Sequence, residues 1–255
     1  MTKKRRNNFA HEMEEYDEIV RERKVSLGYK INIKFKNRKQ KEYHTVIKEN
    51  RIFFAKGSAG TGKTICAVLA ALEMLKEGTI KKILITKPIV ESSTSMGFLP
   101  GDMTTKISQY MVSFYSNIEK IIGKEWVNTL KQEGLVVEVP LNFMRGNTFG
   151  GINPDGSPSG YFIIADEMQN STVREMKLLI SRLGENSTMV IMGDTDQVDL
   201  KLRRNEKNGL DDAIDRLSDL DGIGTIQFLE EDIVRDPFLI EIMKRYKNDT
   251  PNKNI

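Results

Sequence analysis

Cysteine and histidine are scarce in this sequence, which excludes several kinds of site. The 255 residues include one cysteine, so neither an intrachain disulfide nor a thiolate metal cluster can form within one chain. This residue, Cys66, stands in an apolar stretch, which indicates simple packing. The two histidines, His11 and His44, suggest no metal site.

Long hydrophobic runs are missing as well. No apolar stretch approaches the roughly 18 residues that a membrane-spanning helix needs. The first residues lead into polar sequence rather than into the apolar core of a signal peptide. We therefore expect a soluble, cytoplasmic protein that has no membrane partner.

The positive charge is concentrated near the N-terminus. Residues 1–51 carry 15 Lys/Arg against 8 Asp/Glu, whereas the remainder carries 24 against 28. A chain of this length with 39% hydrophobic residues can bury one substantial core. We expect one domain over 29–247, preceded by a short basic extension over 1–28 and followed by a polar tail over 248–255.

Short apolar runs alternate with segments of helical spacing, a pattern typical of an α/β fold with a parallel sheet. The runs are nearly continuous in apolar residues, which indicates strands buried on both faces. A half-buried strand is also predicted over 29–35, and a solvent-exposed loop over the Gly- and Pro-rich segment 150–160. Buried strands are predicted at 52–55, 83–85, 136–139, 162–165, 189–192 and 226–228, and helices at 63–77, 105–122, 172–182, 209–217 and 237–246.

A glycine-rich segment after the first buried run matches the P-loop pattern G-x-x-x-x-G-K-[ST]. Its glycines let successive backbone N–H groups point at phosphate oxygens, and the helix that follows adds its positive N-terminal end. Lys63 would neutralise the β- and γ-phosphates, and Thr64 would offer its hydroxyl to Mg²⁺. A chance match is the alternative, but the strand, the helix and an acidic pair downstream argue against it. The predicted nucleotide-binding residues are Gly57, Ser58, Ala59, Gly60, Thr61, Gly62, Lys63 and Thr64.

Two adjacent carboxylates, Asp166 and Glu167, follow the buried run at 162–165. The carboxyl ends of parallel strands form the edge where α/β folds bind ligands, which places this pair near the P-loop. We predict that Asp166 holds magnesium and that Glu167 orients and deprotonates an attacking water. Hydrolysis of a nucleoside triphosphate is then the predicted reaction, with Lys63 and Glu167 as catalytic residues. Alternatively, the pair only begins a loop and caps the next helix.

The segment 192–197 repeats this arrangement, because another buried run leads into a polar turn. Gln197 is predicted to hydrogen-bond the γ-phosphate or the attacking water and so to sense the state of the nucleotide. An ordinary exposed turn is the alternative, since Gly, Asp and Thr are common turn residues.

The order of the motifs resembles the PhoH-like family over residues 40 to 246. The motifs are GSAGTGKT, ITKPIVE, SMGFLPGD, FMRGNTF, FIIADEMQNST, MGDTDQVDL and IVRDP. That family is similar to the first RecA-type domain of superfamily-one helicases. The resemblance therefore implies a RecA-like fold, binding and hydrolysis of ATP, and a link to RNA or to phosphate-starvation responses. It also implies that Gln40 pairs with the adenine edge through its amide.

The sequence departs from the family pattern at three positions. Met168 stands where alanine is common, Lys87 where arginine is usual, and Asp236 where histidine is usual. Lysine cannot make a bidentate phosphate contact, and Asp236 places negative charge beside Arg235. The segment 150–160 also resembles an insertion.

Hydrolysis of a γ-phosphate is typically accelerated about 10³- to 10⁵-fold by an arginine that meets the developing charge. Arg145, Arg182 and Arg235 are candidates, and Arg235 is preferred because it follows the last predicted strand. A two-domain helicase supplies this arginine from a second RecA domain, for which the nine residues after Tyr246 leave no room. We therefore expect a ring-like homo-oligomer, with a hexamer as a candidate, in which a neighbouring subunit supplies the arginine. A surface salt bridge is the alternative role of Arg235.

Lysines and arginines between positions 30 and 41 surround Tyr29, Phe35 and Tyr43. Positive charge mixed with aromatic faces is typical of surfaces that bind single-stranded nucleic acid, so RNA or another single strand is a predicted partner. A solvated basic surface is the alternative. Two other functions also stay open, namely a P-loop kinase with a small acceptor and a nucleotide-dependent switch or assembly protein with slow turnover.

Overall fold

The computed structural model describes residues 27–88, 112–194, 197–200, 202, 206–236, 238–239, 241–242 and 245. The predicted basic extension and polar tail lie almost entirely outside these ranges. Six strands of the described residues form one sheet, and each overlaps a predicted apolar run. They are β1 Ile52–Lys56, β2 Lys82–Thr86, β3 Val136–Glu138, β4 Tyr161–Ala165, β5 Thr188–Gly193 and β6 Ile223–Gln227. The last strand begins three residues before the predicted run at 226–228 and is only partly buried.

The sheet is parallel throughout and has the order β3-β2-β4-β5-β1-β6. The predicted α/β class is therefore confirmed. Strand β5 lies between β4, which leads to the acidic pair, and β1, which leads to the P-loop. The turn after β5 therefore lies beside both. All residues of β2, β4 and β5 are buried, as expected for strands covered by helices on both faces.

Helices cover both faces of the sheet, and two of them have the predicted bounds, Lys63–Glu77 and Gly209–Leu217. Thr172 and Glu175 form a reciprocal capping box before the fifth helix. No helix in the described part of the chain is long and apolar enough to cross a membrane. The helices are α1 Arg38–Ile47, α2 Lys63–Glu77, α3 Val112–Ile122, α4 Lys124–Gln132, α5 Val173–Ile180 and α6 Gly209–Leu217, with 3-10 turns at Leu141–Phe143, Met168–Asn170 and Glu230–Asp232.

Two predicted helices lie only partly within the described ranges. Residues 105–111 fall outside them, whereas α3 matches the rest of the predicted helix at 105–122. The described residues between 237 and 246 are helical. Helices α1 and α4 were not predicted.

Two apolar clusters pack on opposite faces of the sheet. In β1, Phe53 and Ala55 join the cluster beneath α1 to α4, whereas Ile52 and Phe54 join the cluster beneath α5 and α6. This alternation follows from the two-residue period of a strand. Cys66 packs within the first cluster, where burial raises its thiol pKa to about 12, which agrees with a packing role.

The prediction of a strand over 29–35 is wrong. Burial alternates along this segment as the pattern suggests, but its residues belong to no strand. The segment lies against helices instead: the Asn32 N–H donates to the Ile121 carbonyl at 3.0 Å, and the Tyr29 ring meets Trp126 edge to face. Alternating polarity therefore reflects an extended chain packed on helices rather than a member of the sheet.

The aromatic faces predicted for nucleic-acid stacking are not on the surface. Tyr29 and Tyr43 are fully buried, and the half-buried Phe35 packs against His44 with ring centroids 5.0 Å apart. The reason is that the apolar side of the 27–35 segment and of α1 faces the core. Only the positive charges of this region remain available to a partner.

Removing the hydroxyl group is expected to change the free energy of unfolding differently at the two buried tyrosines. Tyr29 donates to the Leu72 carbonyl at 2.5 Å, whereas the buried Tyr43 hydroxyl has no hydrogen-bond partner among the described residues. Tyr29→Phe is expected to lower the free energy of unfolding by about 1 kcal/mol. Tyr43→Phe is expected to leave it unchanged or to raise it by about 1 kcal/mol, because a buried, unpaired polar group is lost. Chemical denaturation measures both, and equal losses in the two variants would contradict this account.

Candidate nucleotide-binding site

The P-loop runs from the carboxyl end of β1 into the first turn of α2. Gly62 is the residue before α2 and has a φ of 91°, a conformation that favours glycine. A Cβ atom at this position would lie 2.5 Å from the Gln40 Nε2 atom, so a larger residue would have to displace the Gln40 side chain. The loop and the N-terminal amides of α2 together form the type of cradle that binds phosphate.

Lys63 opens α2, and its side chain is largely buried at 8% exposure. Its ammonium group donates to the carbonyl oxygens of Gly57 at 2.6 Å and Ser58 at 3.0 Å. Burial lowers the pKa of Lys63, and nearby Arg235 adds to that effect. Asp166, Asp194 and Glu167 oppose the shift because they stabilise the ammonium ion. The cation is thus held at the loop between carbonyl oxygens and carboxylates.

Thr64 and Asp166 meet across the sheet edge. The Thr64 hydroxyl donates to the Asp166 Oδ2 atom at 3.0 Å, although 102 positions separate the two residues. Asp166 follows β4 and is buried at 8% exposure. The hydroxyl and carboxylate oxygens are suitable ligands for Mg²⁺, which binds few protein ligands and completes its shell with water and phosphate oxygens. The described ranges contain no cluster of three or more His, Cys, Asp or Glu residues able to hold a metal.

Glu167 is exposed, and its backbone lies in the left-handed region with a φ of 56° and a ψ of 29°. Non-glycine residues adopt this conformation uncommonly, and it is often found at functional sites. Its N–H donates to the Asp166 Oδ1 atom at 2.9 Å. Its carboxylate accepts a hydrogen bond from the Gln169 amide at 2.7 Å. The acidic pair therefore has one buried member and one member that faces solvent.

Gln169 is a site residue that the sequence analysis missed. Its side chain is fully buried and joins the acidic pair to the turn after β5. Its Oε1 atom accepts from the Asp194 N–H at 3.0 Å, and its amide donates to Glu167 and to the Gln197 carbonyl at 3.1 Å. A glutamine two residues after the acidic pair is visible in the sequence, but nothing there shows that it reaches another strand.

Asp194 and Gln197 extend this network to the P-loop. The Asp194 Oδ2 atom accepts from the Ala59 N–H at 2.8 Å, so the turn after β5 is tied to the crest of the loop. Gln197 is exposed, and its N–H donates to the Asp194 carbonyl at 3.0 Å. Residues 195 and 196 lie outside the described ranges. The turn is beside the site, and the role of the Gln197 side chain stays a prediction.

Gln40 lies at the P-loop, but its amide is engaged with protein atoms. Its Nε2 atom donates to the Thr61 carbonyl at 3.0 Å, and its Oε1 atom accepts from the Lys36 N–H at 2.8 Å. The side chain is 4% exposed. These contacts favour a residue that supports the loop over one that reads a base.

Arg235 lies over the P-loop of its own chain. A Cβ atom at Gly60 would come within 2.4 Å of the Arg235 Nε atom, and the Val234 N–H donates to the Gly60 carbonyl at 2.9 Å. Contact within one chain does not require the neighbouring subunit invoked from the sequence. Arg182, another candidate, donates to the Asn147 carbonyl instead. The Lys87 ammonium lies 5.5 Å from the centre of the Phe114 ring.

The fold and these contacts define a nucleotide-binding α/β protein of the P-loop class. The chain belongs to the PhoH-like protein family, whose sequence profile matches residues 32–247. A PhoH-like protein of Bacillus subtilis (strain 168) is 37% identical over 233 residues, which cover 91% of this chain and 70% of that protein. Protein PhoH of Escherichia coli (strain K12) is 33% identical over 213 residues, which cover 83% of this chain and 57% of that protein.

Solved structures of lower similarity include helicases and a phage protein. The Pif1 helicase from Candida albicans shares 13% identity at a TM-score of 0.41, covering 84% of this chain and 44% of that chain. The large terminase from a thermophilic bacteriophage shares 10% identity at a TM-score of 0.47, covering 82% of this chain and 49% of that chain. Family membership follows from the sequence relatives and not from these structures.

Replacing Gln40 tests whether it supports the loop or reads the base. Gln40→Leu removes two buried hydrogen bonds, so we expect weaker nucleotide binding by about 1–2 kcal/mol, or roughly 5- to 30-fold. The loss should be equal for ATP and GTP, because the contacts are with the protein backbone. Competition with a fluorescent nucleotide measures both affinities, and Gln132→Leu at the exposed end of α4 is the control. A loss confined to adenine nucleotides would restore the role of Gln40 as a base reader.

Proposed function

We propose that this chain binds ATP with Mg²⁺ and hydrolyses it to ADP and phosphate. The observation that carries the proposal is the contact between the Thr64 hydroxyl and the Asp166 carboxylate, beside the buried ammonium group of Lys63. A P-loop and a buried carboxylate at the end of a parallel strand serve this chemistry in nucleoside triphosphatases. Family membership supports a nucleotide-binding and nucleotide-hydrolysing protein in general, and the identity of the nucleotide as ATP is the proposed part.

The proposed reaction is an in-line displacement at the γ-phosphorus. Glu167 accepts a proton from water as the water oxygen bonds to phosphorus, and the bond from phosphorus to the β–γ bridging oxygen breaks. ADP leaves with the electron pair of that bond. Lys63 and the loop amides stabilise the charge on the phosphates. Thr64 and Asp166 would hold Mg²⁺, which neutralises phosphate charge when bound.

Arg235 is proposed to stabilise the charge that develops on the γ-phosphate. It is exposed yet lies against Gly60, so a small movement of its long side chain would bring the guanidinium group to a γ-phosphate bound in the loop. Asp236 is engaged locally, because its Oδ1 atom accepts from the Phe238 N–H at 2.8 Å. A homo-oligomeric ring stays a hypothesis that this arrangement no longer requires, and mass photometry with ATP would measure the assembly state directly.

A strip of positive charge near the N-terminus is the proposed docking surface for single-stranded nucleic acid, RNA in particular. Within the ranges that the structure describes, none of its side chains forms an ion pair. Alternate residues of an extended segment point to the same side, so three of its lysines share one side of the chain. Because Tyr29 and Tyr43 are buried and the half-buried Phe35 packs against His44, phosphate contacts must supply most of the affinity. The cationic strip consists of the exposed residues Lys30, Lys34, Lys36, Arg38 and Lys41.

The cationic strip is connected to the P-loop by hydrogen bonds. The Lys36 N–H donates to Gln40, and Gln40 donates to the Thr61 carbonyl of the loop. Asn37 caps α1 and also donates to the Asp232 carbonyl at 3.1 Å, three residues before Arg235. A single strand bound along the strip would order a segment that supports the loop. We therefore propose that nucleic acid stimulates ATP hydrolysis.

Phosphate release with and without RNA tests the proposed function against its alternatives. Strong stimulation by RNA supports a nucleic-acid-dependent ATPase. Dependence on a small acceptor would support a P-loop kinase, and slow turnover that RNA does not change would support a switch or assembly protein. No phosphate release under any of these conditions would overturn the proposal.

Substituting the two central catalytic residues is expected to separate binding from cleavage. Lys63→Ala should abolish ATP binding, because it removes the cation that pairs with the phosphates. The Glu167→Gln variant should still bind ATP, but its kcat should be lower by about 10²- to 10⁴-fold, because the substitution removes the proton acceptor. Calorimetry and single-turnover phosphate release measure the two effects. Wild-type turnover by Glu167→Gln would refute the assignment of the base.

Neutralising the cationic strip is expected to weaken RNA binding through its salt dependence. In Lys34→Gln/Arg38→Gln, the plot of log affinity against log salt should become shallower by about 1.4, since each phosphate contact on a single strand contributes about 0.7. Fluorescence anisotropy with a labelled oligonucleotide measures this slope. The matched control is Arg174→Gln/Lys177→Gln on α5, where both side chains are exposed on the opposite face of the sheet. An equal change in the control would place the binding elsewhere.

A further inference from the structure

Gln169 occupies an unusual position for a polar side chain. It is fully buried, and its amide makes three hydrogen bonds to three residues in two parts of the site. One bond, at 2.7 Å, goes to the Glu167 Oε2 atom. The other two go to the backbone of the turn after β5, at Asp194 and Gln197. A buried amide with this many partners has one fixed orientation, since any rotation would leave groups unpaired.

The surroundings leave Gln169 no freedom to move away. A Cβ atom at Gly193 would lie 2.8 Å from the Gln169 Oε1 atom, so the end of β5 approaches the amide as closely as a glycine allows. Asp194, whose N–H donates to this amide, also accepts from the Ala59 N–H of the P-loop. A continuous chain of hydrogen bonds therefore runs from the crest of the loop, through Asp194 and Gln169, to the carboxylate of Glu167.

Among the residues that the structure describes, the Glu167 carboxylate has one hydrogen-bond donor, Gln169. Glu167 is exposed, and its backbone takes a left-handed conformation that its own residue type does not favour. An exposed glutamate has several rotamers, and a base must be held within a few tenths of an ångström of its working position. The hydrogen bond from Gln169 gives its carboxylate a rigid, buried donor.

We propose that Gln169 is a positioning residue that fixes the Glu167 carboxylate relative to the P-loop. The inference rests on the proposed hydrolysis of ATP. The role requires glutamine in particular, because one end of the amide must accept from the Asp194 N–H while the other donates to a carboxylate. A glutamate at this position would lack the N–H donor to the Glu167 carboxylate. A methionine has nearly the same length but lacks both the donor and the acceptor.

Gln169→Met tests the proposal. We expect kcat for ATP to fall about 10- to 100-fold, as for other small displacements of a catalytic group, while KM changes by less than about threefold. The affinity for ATP measured by calorimetry should stay near that of the wild type. Asn170→Leu is the matched control, because the Asn170 side chain is also buried and its Oδ1 atom accepts from the Asp199 N–H at 2.7 Å. Its link to Glu167 is a backbone N–H that donates to the Glu167 carbonyl at 3.0 Å, and the substitution keeps that bond. The control should lose stability and keep its kcat.

A double-mutant cycle separates positioning from general loss of structure. If Gln169 acts through Glu167, then Gln169→Met should not lower further the residual rate of Glu167→Gln. An equal loss of kcat in Asn170→Leu, or a full additional loss in the double variant, would overturn the proposal. If Gln169→Met fails to fold, Gln169→Glu keeps the size and the acceptor for Asp194, and wild-type kcat in that variant would also overturn it.

The outcome for the wild-type protein keeps the two hypotheses distinct. A wild-type chain that releases no phosphate from ATP refutes the proposed function. A wild-type chain that turns over ATP together with a Gln169→Met variant of equal kcat refutes only the positioning role.

Discussion

The candidate site depends on the hydrogen bond between Thr64 and Asp166, and that bond in turn depends on the whole sheet. The hydroxyl belongs to the helix after β1, and the carboxylate follows β4, with β5 between them. The contact can form only if the three strands are parallel, in register and end at one edge. The apolar residues that bury both faces of the sheet thus also set the distance between the P-loop and the Asp166 carboxylate, the proposed metal ligand. Because the carboxylate is buried, it is costly to leave unpaired, so the contact also stabilises the arrangement that produces it.

A second layer of hydrogen bonds joins the parts of the site that the sheet only brings near one another. The turn after β5 lies in the middle of this layer, since its backbone binds Gln169 and its Asp194 carboxylate binds the P-loop. On the other side of the loop, Gln40 and Arg235 lie against Thr61 and Gly60. The loop is therefore held from three directions by side chains that belong to different elements. A loop whose backbone is held in one conformation before its ligand arrives loses less entropy on binding.

The sequence predicted most of what depends on local pattern. Buried strands and the helix after the P-loop were found because their apolar residues follow clear periods, and the acidic pair was placed correctly because parallel strands share a carboxyl edge. Helix α1 was missed because its sequence, RKQKEYHTVI, is dominated by charged and polar residues and one of its buried residues is a glutamine. The segment at 29–35 was misassigned because an extended chain packed against helices shows the same alternating burial as a strand in a sheet. The hydrogen bonds of Gln169 to the turn after β5, and the contact of Arg235 with the P-loop of its own chain, could not be predicted, since both join elements distant in the sequence.

The loop over 150–160 has a consequence of a different kind. It precedes β4, and Gly150 lies against Ser187 just before β5, so it projects from the amino ends of the strands. The nucleotide chemistry is assigned to the carboxyl ends. Lengthening, shortening or labelling the chain at this loop should therefore be tolerated without disturbing the pocket, which makes the loop a natural attachment point for a fluorophore or an affinity tag.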